Sequence, residues 1–245
     1  MDNWFGATSP SVFVPFSISH LLMLVAAIGG FVFLLAQKNQ LRESPLFFAR
    51  VRWTLFVLLL VSEISYQAWA ISNGVWSFSG HVPLHLCGIA SITAMIGLLT
   101  LRPVWIQISF FIGILPAVLT LITPELPHDF QHYRFWKFFI HHMAIPWACL
   151  FLALRKPAVI SLRSLFLVYF LLVGYALIIG FFVNPAAEAN YLYLSRLPEA
   201  ATPLSFFGSG IWYYLNLGIA AFLLFGGQYL FWKKFFIRTE KKAAR

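Results

Sequence analysis

Charged side chains are scarce in this chain of 245 residues. Asp, Glu, Lys and Arg make up 10% of it, whereas 60% of its residues are hydrophobic and the mean hydropathy is +0.81. This is too few charged residues for the solvated surface of a water-soluble globular protein. The composition therefore indicates a membrane protein. Acidic residues number 8 against 17 basic ones, but the basic residues lie beside hydrophobic runs. This pattern is typical of membrane topology, and we expect no nucleic-acid partner.

Cysteine is also scarce: the chain has only Cys87 and Cys149, and neither belongs to a CxxC or CxxCH motif. This excludes a disulfide framework and disfavours metal ribbons and covalently attached c-type haem. Cys149 lies on the order of 22 Å below the start of its predicted helix and Cys87 on the order of 7 Å below the start of its own. Bridged cysteines need Cα atoms within about 7 Å, so we expect no disulfide between them. We predict neither a metal site nor a cofactor.

Seven apolar runs approach the roughly 20 residues that a helix needs to cross a bilayer. They predict an all-α, polytopic helical bundle that forms a single integral membrane domain over residues 1–245. The opening residues MDNWFGATSP lack a basic segment, so we expect no cleavable signal peptide. A tight helical hairpin is predicted at Arg102-Pro103, between the third run and the fourth. The predicted spans are 17–37, 53–72, 83–101, 104–123, 135–154, 163–183 and 208–232.

The basic residues predict an orientation. Fourteen of the 17 Lys and Arg residues lie at one side of the seven spans, against Arg134, Lys137 and Arg196 at the other. Because basic residues favour the cytoplasmic side, the N-terminus should lie outside and the C-terminus in the cytoplasm. We expect a multi-pass protein of the cell membrane whose long loop, 184–207, folds over the outer mouth of the bundle.

Polar side chains within the predicted spans fall in the outer half of the bilayer. Such groups cost free energy in hydrocarbon and therefore face a bundle interior or a cavity. Tyr66 and Gln67 follow Glu63 at i+3 and i+4, which places the three on one helix face. The others are Cys87 near the start of span 3, His141 and His142 in span 5, and His20 in span 1.

A cysteine and a histidine at similar depth suggest nucleophilic chemistry. A thiolate attacks carbonyl carbon, and a histidine within hydrogen-bond reach can take the thiol proton and return it to a leaving alcohol. Adjacent His141 and His142 point about 100° apart, so only one should reach Cys87, and the sequence does not say which. Glu63 would orient that imidazole. His85 points about 200° away from Cys87 on a regular helix and would instead bind a headgroup or support the outer loop.

Three short motifs carry a family resemblance. PLHLC at 83–87 followed by Ser91, FIHHM at 139–143 and ANYLYLSRLP at 189–198 resemble the YwaF-like bacterial integral membrane proteins. These are similar to eukaryotic transmembrane acyltransferases that remodel ether phospholipids with a cysteine, and more distantly to membrane hydrolases of fatty acid esters of hydroxy fatty acids. The resemblance implies that Cys87 is the nucleophile, that the histidine pair holds the base, and that Asn190 and Tyr191 lie at the substrate mouth.

These observations favour an intramembrane lipid acyltransferase or lipid esterase. Because a site that opens outward has no acyl-CoA or ATP, the partners would be membrane lipids, namely a phospholipid acyl donor and a lipid acceptor. The predicted substrate-binding residues are His85, Ser91, Tyr66, Gln67, Asn190 and Tyr191. Two alternatives stay open: a transporter or membrane sensor with a proton or ligand site at Glu63 and the histidines, and a membrane cytochrome with haem between facing histidines.

Overall fold

A computed structural model of the chain describes residues 2–8, 10–198 and 202–237. These residues are predominantly helical, as predicted, and form no β-strand; one isolated bridge joins Val12 and His128. Short 3₁₀ turns occupy Pro157–Val159, Tyr191–Tyr193 and Pro203–Phe207. The α-helices are α1 (Asp2–Phe5), α2 (Ile18–Ala36), α3 (Lys38–Glu43), α4 (Pro45–Ser72), α5 (Phe78–His81), α6 (Leu86–Thr100), α7 (Pro103–Ile122), α8 (Tyr133–Arg155), α9 (Leu162–Ile178), α10 (Asn184–Ala187) and α11 (Ile211–Trp232).

Six helical segments of the described chain are long and apolar enough to cross a membrane. The seventh predicted span, 83–101, contains the shorter apolar helix α6 of 15 residues. At 1.5 Å per residue α6 is about 22 Å long, against a hydrocarbon core of about 30 Å. The six segments are Ile18–Ala36, Pro45–Ser72, Pro103–Ile122, Tyr133–Arg155, Leu162–Ala187 and Ile211–Ile237.

The second span begins eight residues earlier than the sequence predicted. Ser44 caps α4 by accepting a hydrogen bond from the backbone N–H of Phe47 at 3.3 Å, and Pro45 occupies the first turn. The predicted start at residue 53 was wrong, since Arg50 and Arg52, which precede it, lie within α4. Arg52 lies within α4 and donates hydrogen bonds to the last carbonyls of α6, which otherwise lack intrahelical partners.

Helix α8 forms the centre of the bundle and packs against α7, α4, α6 and α2, while α9 and α11 lie against α7. Small side chains allow this close packing: Ala90, Ala144, Ala148 and Cys149 are fully buried. Such residues let helix backbones approach closely in membrane proteins. The predicted helical hairpin is confirmed, since Leu101 adopts a left-handed conformation between α6 and α7.

The two ends of the bundle differ in chemistry. At the end we call the polar end, α2, α6, α8 and α11 begin and α4, α7 and α9 finish. There the buried His20 ring contacts the Leu121 carbonyl at 2.8 Å and accepts a hydrogen bond from Phe16 N–H at 2.9 Å, so it joins α2 to α7. At the opposite, basic end, Arg42 donates to the last turn of α8 at the Leu154 carbonyl.

The packing of α2 on α8 can be tested with two neighbouring glycines. A methyl group on Gly30 would clash with the ring of Trp147, whereas one on Gly29 would meet no atom within 4 Å. We expect Gly30→Ala to destabilise the protein by about 1–3 kcal/mol through overpacking. Gly29→Ala, the matched control, should keep or raise stability because alanine favours helix. Thermal unfolding in detergent measures both, and equal midpoints would contradict this packing.

Candidate active site

Cys87 lies in the first turn of α6, and the chain entering that helix is held by backbone contacts. His85 is the N-cap in an extended conformation, and the Tyr175 hydroxyl of α9 donates to the Leu84 carbonyl at 2.8 Å. A side chain at Gly88 would clash with the backbone carbonyl of Pro83. A glycine directly after the cysteine therefore lets the entering chain fold back against the first turn.

The nearest polar partner of the Cys87 thiol is a hydroxyl on the neighbouring helix. Its Sγ lies 3.6 Å from Oγ1 of Thr120 in α7. Thr120 donates its own hydroxyl hydrogen to the Pro116 carbonyl at 3.0 Å. The threonine oxygen is therefore oriented to accept a hydrogen bond from the thiol. The sequence analysis did not include Thr120, because nothing in a lone threonine indicates which helix it will face.

Lys137 in α8 is the second group that the sequence analysis missed. Its ammonium lies 4.0 Å from the centre of the Tyr66 ring and interacts electrostatically with Glu63 and with Cys87. In the sequence, this lysine was considered only as one of the basic residues that predict membrane orientation. Its position, in the second turn of an apolar helix and one turn before His141, was the signal that could have identified it.

Glu63 and Gln67, which their i, i+4 spacing placed on one helix face, form a hydrogen bond. Gln67 Nε2 donates to Glu63 Oε1 at 2.7 Å and to the His81 carbonyl at 2.8 Å, and its oxygen accepts from Trp76 Nε1 at 2.9 Å. The Tyr66 ring stacks on His81 with centroids 5.4 Å apart. Within the described residues Glu63 is thus hydrogen-bonded to Gln67, and not to the imidazole that the sequence suggested.

The two adjacent histidines have different surroundings. His142 Nδ1 lies 2.8 Å from the Phe138 carbonyl one turn earlier. His141 is 3% exposed, and its Nδ1 has no hydrogen-bond partner. Within the described residues neither ring is hydrogen-bonded to Cys87, whose contact is Thr120 instead. Burying a nitrogen without a hydrogen-bond partner costs free energy. Packing alone therefore does not explain why the His141 side chain is buried there.

The polar groups around Cys87 and Lys137, which we call the polar strip, continue with Ser91 one turn further into the bundle. It lies four residues after Cys87 in α6, is 2% exposed, and its Oγ also lacks a hydrogen-bond partner. His141 stands in the same relation to Lys137 in α8, so polar groups continue inward along both helices. Among the described residues, no group of three or more His, Cys, Asp or Glu side chains is arranged to hold a metal ion.

The long loop that was predicted for residues 184–207 folds over the polar end. Its first four residues belong to the helical segment Leu162–Ala187, so the loop begins later than predicted, and residues 199–201 lie outside the described residues. Tyr191 is buried, donates its hydroxyl to the Phe78 carbonyl, and donates its N–H to Asn184 Oδ1 at 2.9 Å. Asn190 Oδ1 accepts hydrogen bonds from the N–H groups of Ser195 and Arg196 at 3.1 and 3.0 Å. Asn190 and Tyr191 therefore shape the loop.

A cavity of about 280 Å³, which we call the loop pocket, lies between this loop and the start of α6. The His85 ring is 5.2 Å from that of Tyr191 and 5.3 Å from that of Tyr193. Tyr193 donates its hydroxyl to Glu125 Oε2 at 2.6 Å. The pocket is lined by Ser79, Gly80, His85, Glu125, Glu188, Ala189, Asn190, Tyr193, Arg196, Leu197 and Pro198.

The pKa of His85 tests this arrangement. Burial lowers the pKa of His85, and the Glu125 carboxylate offsets part of that effect by stabilising the imidazolium. We expect His85 to titrate below the ordinary value of about 6.5. Glu125→Gln should lower its pKa further, because the stabilising charge is lost. NMR titration of labelled histidine, assigned with His85→Gln, measures this; Glu43→Gln is the control, and a rise in Glu125→Gln would contradict the geometry.

Comparison with known proteins identifies the family but not an activity. No curated protein and no solved structure matches the chain. The model of the TMEM164 family, a family of transmembrane proteins, matches residues 15–229. The match includes every helix that contributes to the polar strip and the loop that covers it. The chain therefore belongs to the TMEM164 family.

Proposed function

We propose that this protein is a cysteine-dependent lipid acyltransferase or lipid esterase with its site near the outer surface of the cell membrane. The observation that carries the proposal is the position of Cys87. The residue is partly exposed at the first turn of α6, and its thiol contacts the Thr120 hydroxyl and lies within electrostatic range of the Lys137 ammonium. A cationic neighbour offsets part of the cost of burying a thiolate, which is the nucleophilic form of cysteine.

The reaction proceeds in two steps. The Cys87 thiolate attacks the carbonyl carbon of a lipid ester, the new sulfur–carbon bond forms and the ester carbon–oxygen bond breaks, and the leaving alcohol takes up the proton that the thiol lost. A second alcohol, or water, then attacks the thioester: its oxygen bonds to the acyl carbon, the carbon–sulfur bond breaks, and its proton returns to the Cys87 sulfur. His141 is the preferred carrier of the proton, because its Nδ1 is unpartnered one turn below Lys137.

The orientation belongs to the same proposal. With α6 as a seventh, short crossing, the N-terminus lies outside, and the basic end, with ten of the 13 basic residues that the structure describes, lies in the cytoplasm. A helix as short as α6 is compatible with a crossing because α4, α7 and α8 surround it, and non-helical backbone at membrane depth is tolerated where protein covers it. A site at the outer surface has no access to acyl-CoA, so the acyl donor is a membrane lipid.

The proposed nucleophile is tested by trapping the acyl-enzyme. Incubation with vesicles that contain alkyne-labelled phospholipid should leave an acyl adduct on the Cys87 peptide, detected by mass spectrometry. Cys87→Ala should lose the adduct and at least about a thousandfold of the lipid conversion. Cys149→Ala is the matched control, since Cys149 is buried deep in α8, and it should keep both. Full conversion by Cys87→Ala protein would exclude Cys87 as the nucleophile.

One observation favours a second candidate, a transporter or sensor. Lys137 and Glu63 form an electrostatic pair within two apolar spans, and such pairs often mark ion or proton pathways. A transporter would keep its function in Cys87→Ala and lose it in Glu63→Gln. Proton flux into proteoliposomes, compared between the two variants, separates the candidates: the enzyme proposal requires no flux in either protein.

A further inference from the structure

Backbone groups hold the segment that precedes α2 against the polar end. We call this segment, residues 5–8 and 10–16, the strap. Its hydrogen bonds include those of the Phe5 carbonyl to Trp69 Nε1 at 3.0 Å, the Gly6 carbonyl to His132 Nε2 at 2.9 Å, the Phe13 N–H to the Pro127 carbonyl at 3.4 Å and the Phe16 N–H to His20 Nδ1 at 2.9 Å. Two of these four bonds end on an imidazole, so the protonation of histidine bears on how firmly the strap is held.

The strap lies on an aromatic layer next to Lys137. The Phe5 ring is 5.0 Å from that of Tyr133, and Trp69 is only 2% exposed. The Trp69 ring stacks on Tyr66 with centroids 6.0 Å apart, and Tyr66 in turn faces the Lys137 ammonium at 4.0 Å. Detachment of the strap would expose this layer to water and would thereby open a path toward the polar strip.

The bonds of His132 require a neutral ring. A carbonyl oxygen can only accept, so Nε2 carries the hydrogen that binds the Gly6 carbonyl. Nδ1 accepts the Arg134 N–H at 3.2 Å and therefore carries none. A second proton would point Nδ1–H at the Arg134 N–H, and the hydrogen bond that caps α8 would be lost.

A second imidazole raises the cost of a charge at His132. The ring of His128 lies 4.2 Å from that of His132, measured between centroids, and the two side chains are 9% and 0% exposed. Burial lowers the pKa of His128, and the charges of His132 and Arg134 lower it further. Two imidazolium rings at this distance would repel each other, so the attached strap requires that the pair be neutral.

The surroundings of the pair also favour neutral rings. Residues 5–16 include no charged side chain, so the strap supplies no counter-charge. The Asp129 carboxylate, in the same loop, already accepts hydrogen bonds at Oδ1 from Ser19 Oγ at 2.7 Å and from Phe130 N–H at 2.8 Å. Other charged or titratable groups on the elements packed at this end are Tyr133, Arg134 and Lys137 of α8, His20 of α2, Glu63 and Tyr66 of α4, and His81 of α5.

We propose that the strap is a proton-controlled cover: acidification at the polar end charges the His128–His132 pair and detaches the strap. A charged His132 ring is buried beside the charges of His128 and Arg134, so it moves to water and its bond to Gly6 breaks. The released rings recover the ordinary histidine pKa of about 6.5. The attached strap is therefore most stable above about pH 6.5 and loses stability as the pH falls below it. Control of access to Cys87 rests on the proposed function, whereas detachment of the strap does not.

Hydrogen–deuterium exchange of the full-length protein in nanodiscs measures detachment. Exchange of the strap amides, which include the bonded N–H groups of Phe13 and Phe16, is compared at pH 7.5 and pH 5.5 after correction for the pH dependence of intrinsic exchange. We expect protection to fall about tenfold at pH 5.5, the factor for one proton taken up per pH unit below 6.5. His132→Gln should stay protected at both pH values, because glutamine offers an N–H donor and an oxygen acceptor but takes up no proton. His81→Gln, at the same end of the bundle, is the matched control and should respond as the parent does.

Each outcome decides the proposal. Equal protection of the parent strap at both pH values overturns it, and so does a full loss of protection at pH 5.5 in His132→Gln. If His132→Gln is already unprotected at pH 7.5, His128→Gln decides, because it removes the second charge and keeps the bonds of His132: a smaller pH response supports the proposal and an unchanged one overturns it. A response lost in His81→Gln would assign the effect to another site. Failure to trap an acyl adduct on Cys87 would overturn the proposed function alone, because exchange is measured without an ester substrate.

Discussion

An ammonium group among apolar helices loses its hydration, and the surrounding helices must compensate for that loss. Lys137 imposes this requirement on the polar end of the bundle. The Tyr66 ring faces it at 4.0 Å, and Glu63 and Cys87 supply electrostatic partners from α4 and α6. The polar strip is therefore one connected set of groups from three helices. The positive charge of Lys137 in turn attracts a thiolate at Cys87.

Two different structural devices hold this set in place. Deep in the bundle, small buried residues such as Ala90, Ala144 and Ala148 let α6, α7 and α8 pack closely, which fixes Cys87 beside Thr120. At the polar end, a strained loop is held by tyrosine hydroxyls and by Asn190 above the start of α6. Close helix packing below and a strained loop above together hold the polar groups in place.

The sequence predicted those features that depend on local spacing. The all-helical fold, the hairpin at residues 101–103, the Glu63–Gln67 pair and the free cysteines all follow from helix periodicity and rise, and the structure has them. Features that depend on how helices rotate against one another were missed. Thr120 reaches Cys87, and Lys137 faces inward, because of tertiary packing that no single helix encodes.

Other errors have a local cause. The predicted start of the second span at residue 53 was too late, because an arginine side chain such as Arg52 can reach the carbonyls at the end of a neighbouring helix while lying within α4. The left-handed residues of the long loop could not be predicted, since leucine and tyrosine rarely adopt that conformation. The burial of Tyr191 could not be predicted either. It depends on contacts with Phe78, which is distant in the sequence, and with Asn184, which does not share a regular helix with Tyr191.

Disulfide trapping tests the central geometry most directly. A cysteine in place of Thr120 would put a second sulfur beside Cys87, whose Sγ now lies 3.6 Å from the threonine oxygen, and disulfides form only at such short range. The account predicts that mild oxidation of Thr120→Cys protein yields an internal bridge, seen as a mass loss of about 2 Da for two hydrogens and as protection of Cys87 from alkylation. Free, fully alkylated Cys87 after oxidation would show that α6 and α7 do not meet there, and the active site built on that contact would have to be abandoned.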